Sequence, residues 1–379
     1  PVQTQQSAIQ VVMHSTHRLL LNGELQEQLP KIVPGRRYLG ASYTVKVAAG
    51  QTVRLEKISS VHTARDFCYA KFTQEKANEY VLEDSLREFR IAAQSSYDAL
   101  QQCSAQAWQA FWEQQDVQVN GNDPADQLMI RFAIYHLNCM ANRQDNRVGI
   151  AAKGLSGEGY KGHSFWDTEI FVFPYYLFTQ PQAARRLLEY RYLCLKGARK
   201  KAKENGFSGA MYPWEAAWIE DGEVTPDWLG IDLVTGEMLP CNTGRLELHV
   251  TADVAYAVQE YFQATNDIEF MRSCGYEILI DTAKFWADRL EWNAEKKRYE
   301  LNHVIGPDEY QVDVNNNIYT NYMVELNLRL GLKALETVRA DAVLYKELNE
   351  RIGLDGLDKL LSSRADQIYL PQADPATGL

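Results

Sequence analysis

The first 65 residues alternate hydrophobic and polar positions over short stretches, a period typical of half-buried strands. Turn residues separate these stretches, with glycine at positions 23 and 50 and a Pro-Gly pair at 34–35. The pattern predicts strands over Ile9–Met13, His17–Leu21, Tyr43–Ala48 and Thr52–Val61. Because these strands do not form a complete core of their own, we interpret residues 1–65 as the C-terminal part of a β-sandwich domain.

The period changes after this segment. From Glu83 to Gln115 the apolar residues recur every three or four positions, which predicts amphipathic helix. We interpret residues 66–122 as a helical linker, built of one helix or two.

From Asp123 to the end of the sequence, helical patterns alternate with long loops. The predicted helices are Leu128–Met140, Pro181–Asn205, Thr251–Thr265, Ile268–Trp292 and Asn321–Val338.

Several of these helices carry end signals. Asp123 followed by proline predicts an N-cap, Thr251 predicts another, and Gly206 predicts a C-cap. The helix over Leu128–Met140 is apolar on nearly all sides, which predicts that it is buried.

The helices show no repeated sequence, which argues against a TPR or HEAT solenoid. Loops longer than about 15 residues are uncommon unless they are functional, and this segment has several that are rich in aromatic and acidic residues. A closed double ring of helices, with its loops meeting at one end, accounts for both observations. We therefore interpret residues 123–379 as one mainly α domain.

Composition narrows the classes of function. The chain has 379 residues, is 46% hydrophobic and 23% charged, and carries a net charge of −11, so it is globular with a large core and a poor partner for nucleic acid. The one basic run, Arg199 to Lys201, is best interpreted as cations near a helix C-terminus.

Six cysteines, at 68, 103, 139, 194, 241 and 274, are widely spaced and form no metal-binding pattern. Four of them fall in helical patterns, which favours reduced core residues and a cytoplasmic location. No apolar run reaches the roughly 18 residues needed to span a bilayer, so we expect no membrane partner. The sequence begins with proline and stops without a closing element, so we expect it to be a piece of a longer protein.

Three polar loops share one composition: Gly154–Glu169, Gly209–Trp228 and Asn302–Asn321. Each combines glycine, an aromatic residue and a carboxylate. Aromatic faces cover the apolar face of a pyranose, and carboxylates accept hydrogen bonds from its hydroxyls. Any one of these loops alone is more often a surface connection, but together they predict a carbohydrate site.

Four motifs in these regions resemble family 65 of the glycoside hydrolases, which includes maltose, kojibiose and trehalose phosphorylases. They are GEGYKGHSFWDTE at 157–169, GAMYPWE at 209–215, LHVTADVAYAV at 248–258 and VIGPDEY at 304–310. The resemblance implies a β-sandwich domain (here its end, 1–65), a helical linker (66–122) and an (α/α)6-barrel catalytic domain (123–379). It also implies inverting phosphorolysis of an α-linked glucoside to β-glucose 1-phosphate.

The resemblance also implies residue roles. Glu309 matches the general acid, whose pKa its surroundings should raise, and indole rings should wall it. Trp166 and Asp167 should hold the glucose ring at the cleaved side, and Trp214 and Glu215 should lie near the bond and the leaving group.

His163 and His249 lie in matched motifs and either line the site or are hydrogen-bonded structural histidines. Asp308 is expected to fix the loop. No metal or cofactor is implied. Inorganic phosphate is the co-substrate, the other partner is a disaccharide, and family members commonly form homodimers.

The sequence departs from the family at Gln311, where a histidine is common, and in the longer loop Asp227–Gly244. The segment LPQAD at 370–374 resembles a sugar-contacting motif but lacks its lysine. Two alternatives stay open: an inverting hydrolase of the acid trehalase type, which needs a second carboxylate to activate water, and a sugar-binding module without catalysis.

Overall fold

The computed structural model describes residues 1–36, 38–121, 123–154, 156–373 and 375–378. Leu155 of the first polar loop and Asp374 of the LPQAD segment lie outside these ranges. The chain divides into two compact units, Pro1–Val117 and Gln118–Leu379. None of the helices in the described ranges combines the length and apolar character that crossing a bilayer requires.

The first unit is built on a four-stranded antiparallel sheet around one long strand. Its strands are β1 (Val2–Gln3), β2 (Gln10–Leu21), β3 (Glu24–Gln26) and β6 (Val53–Thr63), and a separate hairpin is formed by β4 (Lys31–Gly35) and β5 (Tyr38–Ser42). β2 joins two of the predicted strands into one, and it pairs with β6 from Val11–Thr63 to Leu21–Val53. The strand predicted over Tyr43–Ala48 is wrong, because the β4–β5 pairing ends at Ser42 and leaves the next residues without a partner strand.

Two helices complete this unit, α1 (Gln74–Gln94) and α2 (Tyr97–Gln115). The break falls at Ser95 and Ser96, and the Ser96 side chain caps α2 by accepting from the backbone N–H of Ala99. The core of this unit is small and comprises Val12, Ala64, Tyr69, Ala77 and Val81.

The second unit is mainly helical, which confirms that prediction. Its helices are α3 (Pro124–Met140), α4 (Phe173–Thr179), α5 (Pro181–Leu193), α6 (Leu195–Glu204), α7 (Thr243–Leu246), α8 (Val250–Thr265), α9 (Ile268–Phe270), α10 (Tyr276–Arg289), α11 (Ile318–Arg339), α12 (Ala342–Ile352) and α13 (Leu357–Gln367). Two short hairpins interrupt them, β7 (Trp228–Ile231) with β8 (Met238–Pro240), and β9 (Glu291–Asn293) with β10 (Arg298–Glu300).

The helix predicted over Pro181–Asn205 forms as α5 and α6, which meet at Cys194. Gly206 ends α6 in a left-handed conformation at φ 83°. The N–H of Phe207 bonds the carbonyl of Ala202 at 2.9 Å, which closes a Schellman motif. The predicted C-cap glycine is confirmed.

The start of α3 is as predicted, since the Asp123 carboxylate accepts from the backbone N–H of Ala125. Its burial is not. Leu128 is 69% exposed and Phe132 is 63% exposed, and Ile134 is the one residue of α3 that is buried within the described chain. An all-round apolar pattern describes the helix surface and says nothing about which neighbour covers it.

Two further local expectations are wrong, and a third holds only in part. α8 begins at Val250, and the hydroxyl of Thr251 does not cap it but accepts from the backbone N–H of Tyr212 at 2.9 Å. Trp292 lies in β9, because α10 ends at Arg289. Among the cysteines in helical patterns, Cys194 and Cys274 are buried but Cys103 and Cys139 are exposed.

The core of the second unit forms where α5, α8, α10, α11 and α13 pack together, and it includes Val254, Val258, Ile278, Phe285 and Trp286. Gly209 opens the second polar loop against this core, with φ at 77°. A Cβ added there would lie 2.5 Å from the carbonyl oxygen of Asp281 and 2.5 Å from the backbone nitrogen of Phe285.

Gly209→Ala should therefore destabilise the chain by about 3 kcal/mol, because it combines a left-handed backbone with two backbone clashes. Gly236→Ala is the matched control, since Gly236 has φ at 74° but no atom within 4 Å of the added Cβ. We expect it to cost only about 1 kcal/mol. Urea unfolding measures both, and equal losses would show that the close approach to α10 is not formed.

Candidate active site

The candidate site is organised around His249, which lies at the start of α8 and has no exposed surface. Its Nδ1 atom lies 2.7 Å from a carboxylate oxygen of Asp253, one helical turn further on. Its Nε2 atom lies 3.2 Å from a carboxylate oxygen of Glu247. The other oxygen of Asp253 accepts from the hydroxyl of Tyr319 at 2.8 Å.

Three aromatic rings meet the His249 ring edge-on. The ring centroids lie at 4.7 Å for Trp166, 5.9 Å for Trp214 and 5.2 Å for Tyr319. The indoles of the first and second polar loops are therefore brought to one side chain, as a sugar-binding site built from both loops requires.

The electrostatics of this cluster follow from its burial and its hydrogen bonds. Burial acts to lower the pKa of His249, but the two carboxylates outweigh it and raise that pKa to about 9. The ring is therefore an imidazolium at neutral pH. Burial raises the pKa of Glu247 to about 7, a shift that His249 opposes and the charge of Glu309 increases.

The first loop is fixed by a buried ion pair. Arg191 of α5 donates two hydrogen bonds to the carboxylate of Glu169, at 2.6 and 2.7 Å, and a third to the carbonyl of Phe165 at 3.1 Å. These contacts bracket Trp166 and Asp167, so the segment between them has little freedom. Asp167 is half-buried, and burial raises its pKa.

The second loop is joined to the first. Ser164 and Ala216 exchange two backbone hydrogen bonds, at 2.9 and 3.0 Å. Next to them, Nδ1 of His163 lies 2.6 Å from a carboxylate oxygen of Glu215, whose side chain is nearly buried. His163 is thus hydrogen-bonded to Glu215, which is expected near the leaving group.

The third loop has a closed stem. Val304 and Val314 exchange two backbone hydrogen bonds, at 3.0 and 2.8 Å. The three asparagines that follow accept from the backbone N–H groups of His303, Leu301 and Thr320, through Asn315, Asn316 and Asn317 respectively. The bond from Thr320 makes Asn317 the N-cap of α11, so the helix begins directly after the stem.

Glu309 lies near the tip of this loop and is exposed. The indole rings expected to wall it, those of Trp166 and Trp214, pack on His249. Its connection to the cluster is the electrostatic interaction with Glu247. The loop itself is tied there by a hydrogen bond from the N–H of Ile305 to the carbonyl of Leu246, at 2.9 Å.

Asp308 accepts from the backbone N–H of Tyr310 at 3.1 Å, the contact expected of a residue that shapes the loop.

Sequence reasoning did not identify Glu247, Asp253, Tyr319 or Arg191. The spacing of Asp253, four residues after His249 on a helix, could have identified that pair. Tyr319 and Arg191 reach the site only through the tertiary fold. Within the described residues, no group of three or more histidine, cysteine, aspartate or glutamate side chains is arranged to hold a metal ion.

The raised pKa of Glu247 predicts a pH dependence of stability. Folding holds this proton more tightly than the unfolded chain does, so its contribution is present below the ordinary glutamate range and is lost as the pH rises through 7. In Glu247→Gln the free energy of unfolding should fall less steeply between about pH 4.5 and 7, by roughly 1–3 kcal/mol in total.

Chemical unfolding across that pH range measures the slope. Glu237→Gln, at an exposed position in the β7–β8 hairpin, is the control and should leave the slope of the parent chain unchanged. Parallel slopes for Glu247→Gln and the parent chain would contradict the prediction.

The chain is similar to several disaccharide phosphorylases. It is 43% identical to the kojibiose phosphorylase of Halothermothrix orenii, a match that covers 98% of this chain and 47% of that protein. It is 34% identical to the nigerose phosphorylase of Lachnoclostridium phytofermentans, over 79% of this chain and 40% of that protein. The chain spans about half the length or less of these relatives.

A solved structure, a putative kojibiose phosphorylase from the human microbiome, superposes with a TM-score of 0.70 at 23% identity, over 94% of this chain and 44% of the other. At that identity the likeness concerns the fold. The glycosyl hydrolase family 65 N-terminal domain matches residues 1–111, and the central catalytic domain of the same family matches residues 131–375. The chain belongs to glycosyl hydrolase family 65.

Proposed function

We propose that the full-length protein is an inverting glycoside phosphorylase, a glycosyltransferase that cleaves an α-linked glucoside of the kojibiose or maltose type with inorganic phosphate. Its product is β-glucose 1-phosphate. The observation that carries the proposal is that the matched loops meet at one buried ring, His249, with the loop of the acid hydrogen-bonded beside it. The kojibiose, nigerose and trehalose phosphorylases among the relatives support the reaction type.

In the proposed reaction Glu309 is the general acid. Its proton passes to the glycosidic oxygen as the bond to the anomeric carbon breaks. A phosphate oxygen attacks that carbon from the opposite face, so its configuration inverts and no second carboxylate is required to activate water. The exposed position of Glu309 at a loop tip allows it to reach a bound sugar from the solvent side.

The glucose unit is proposed to bind against Trp166 and Asp167, which the Arg191 ion pair holds in place. Trp214 and Glu215 are proposed to lie at the leaving group. The hydrogen bond from His163 orients the Glu215 carboxylate.

His249 is proposed to act from behind this surface. Its ring has no exposed area, so it sets the positions of the two indoles without contacting solvent.

We propose the finer architecture in the same way. The mainly helical second unit is the greater part of an (α/α)6 barrel over residues 123–379, after a helical linker at 66–122 and the end of a β-sandwich at 1–65. The family-model matches and the structural neighbour support this arrangement. All six cysteines are free within the described chain, which supports a cytoplasmic location. The homodimer stays a prediction.

The central test is phosphate-dependent release of β-glucose 1-phosphate from kojibiose by the full-length protein. Glu309→Gln removes the proton donor and keeps the side-chain shape, so kcat should fall by about 10²–10⁴-fold. Asp308→Asn is the matched control, because it changes an adjacent exposed carboxylate that only bonds the loop backbone. We expect it to lower kcat less than about tenfold.

Other results of this experiment would favour the two alternative functions. Equal turnover without phosphate, with glucose as the product, would identify a hydrolase of the acid trehalase type. Sugar binding without turnover would identify a binding module. Full activity in Glu309→Gln would remove the acid assignment.

A further inference from the structure

The carboxylate of Glu223 accepts hydrogen bonds from both ends of the loop 214–225, which begins with Trp214 and Glu215. Its Oε2 atom accepts from the backbone N–H of Trp214 at 2.9 Å, and its Oε1 atom accepts from the backbone N–H of Glu215 at 3.1 Å. Oε1 also accepts from the N–H and hydroxyl of Thr225, at 3.2 and 2.8 Å. One carboxylate thus closes the loop from 214 to 225 on itself.

Lys201 of α6 completes the arrangement. Its ammonium group donates to Oε2 of Glu223 at 2.5 Å and lies 3.5 Å from the carbonyl of Tyr212, and its side chain is 3% exposed. Burial lowers the pKa of Lys201, and Glu223 opposes that shift. The basic run at 199–201, interpreted from sequence as helix-end cations, therefore includes a buried anchor for the second loop.

Stability alone accounts poorly for this geometry. Burying an ammonium and a carboxylate seldom stabilises a fold more than apolar side chains of the same size. Here Glu223 accepts from the backbone N–H groups of Trp214 and Glu215, and these charge-assisted hydrogen bonds fix the orientation of the two peptide units. Trp214 packs on His249, and Glu215 bonds His163, so a rotation of either peptide unit would move a group of the candidate site.

We propose that Glu223, anchored by Lys201, is a positioning residue for the leaving-group sugar: it sets the backbone from which Trp214 and Glu215 project. This inference rests on the proposed function, which assigns those two side chains to the leaving-group sugar. It assigns to Glu223 no contact with substrate and no part in proton transfer.

The test separates the Michaelis constants of the two substrates in the full-length enzyme. Glu223→Gln keeps the shape of the side chain and removes its charge, which weakens its hold on two backbone N–H groups. The KM for kojibiose should rise by about tenfold, because a small misplacement of substrate-binding groups is costly. The KM for phosphate should stay within about twofold. A carboxylate that only stabilised the fold would lower the active fraction and leave both constants unchanged.

Two further variants keep the test decisive. Lys201→Met removes the anchor and keeps the side-chain volume, so it should also raise the KM for kojibiose. This variant carries the test if Glu223→Gln does not fold. Glu300→Gln is the control, because Glu300 is another carboxylate bonded by several donors, Asn293, Lys296 and Arg298, in the β9–β10 hairpin. It should leave both Michaelis constants unchanged.

The outcomes for the inference and for the proposed function are distinct. If Glu309→Gln abolishes phosphorolysis but Glu223→Gln and Lys201→Met leave the KM for kojibiose unchanged, the positioning role is wrong and the proposed function stands. If both pair variants fail to fold, the pair is a folding element and the inference is overturned. If the parent enzyme does not consume phosphate, the proposed function fails first.

Discussion

The site depends on a buried imidazolium held between two carboxylates. Removing a charge from water is costly, and His249 offsets that cost only because Asp253 and Glu247 occupy both of its nitrogens. The two carboxylates differ in how many hydrogen bonds they accept. Asp253 is also bonded by Tyr319, whereas one oxygen of Glu247 is buried and has no partner within the described chain. Burial raises the pKa of both carboxylates, and the hydrogen bonds from His249 oppose that shift.

The polar loops act as one surface because backbone atoms connect them. The first loop is bonded to the second through Ser164 and Ala216, the second to α8 through Thr251, and the third to the residue before Glu247 through Ile305. Apart from the short hydroxyl of Thr251, these connections join backbone atoms only, so they hold the loop stems while the longer side chains remain available to a ligand.

The sequence was most informative where the cause of a structure is local. The N-cap at Asp123 and the Schellman glycine at Gly206 follow from neighbouring residues alone, and both were predicted. The exposure of α3, the hydrogen bond of Thr251 to another loop and the burial of Lys201 depend on distant packing, and none was predicted. The same division holds in the site: motif matches selected the residues that converge on His249, but not the ion pairs that hold them.

The stem of the third loop has a consequence for how this protein can diverge. Its closure is carried by the backbone of Val304 and Val314 and by the side chains of Asn315 and Asn316, and the next residue, Asn317, caps α11. The hydrogen bonds of Asp308, Tyr310 and Gln311 stay within the tip of the loop, so exchanges there need not disturb the helix. The unusual Gln311 lies in this tolerant stretch. Residues at the tip can therefore change among descendants of one ancestor while the stem that presents Glu309 is inherited unchanged.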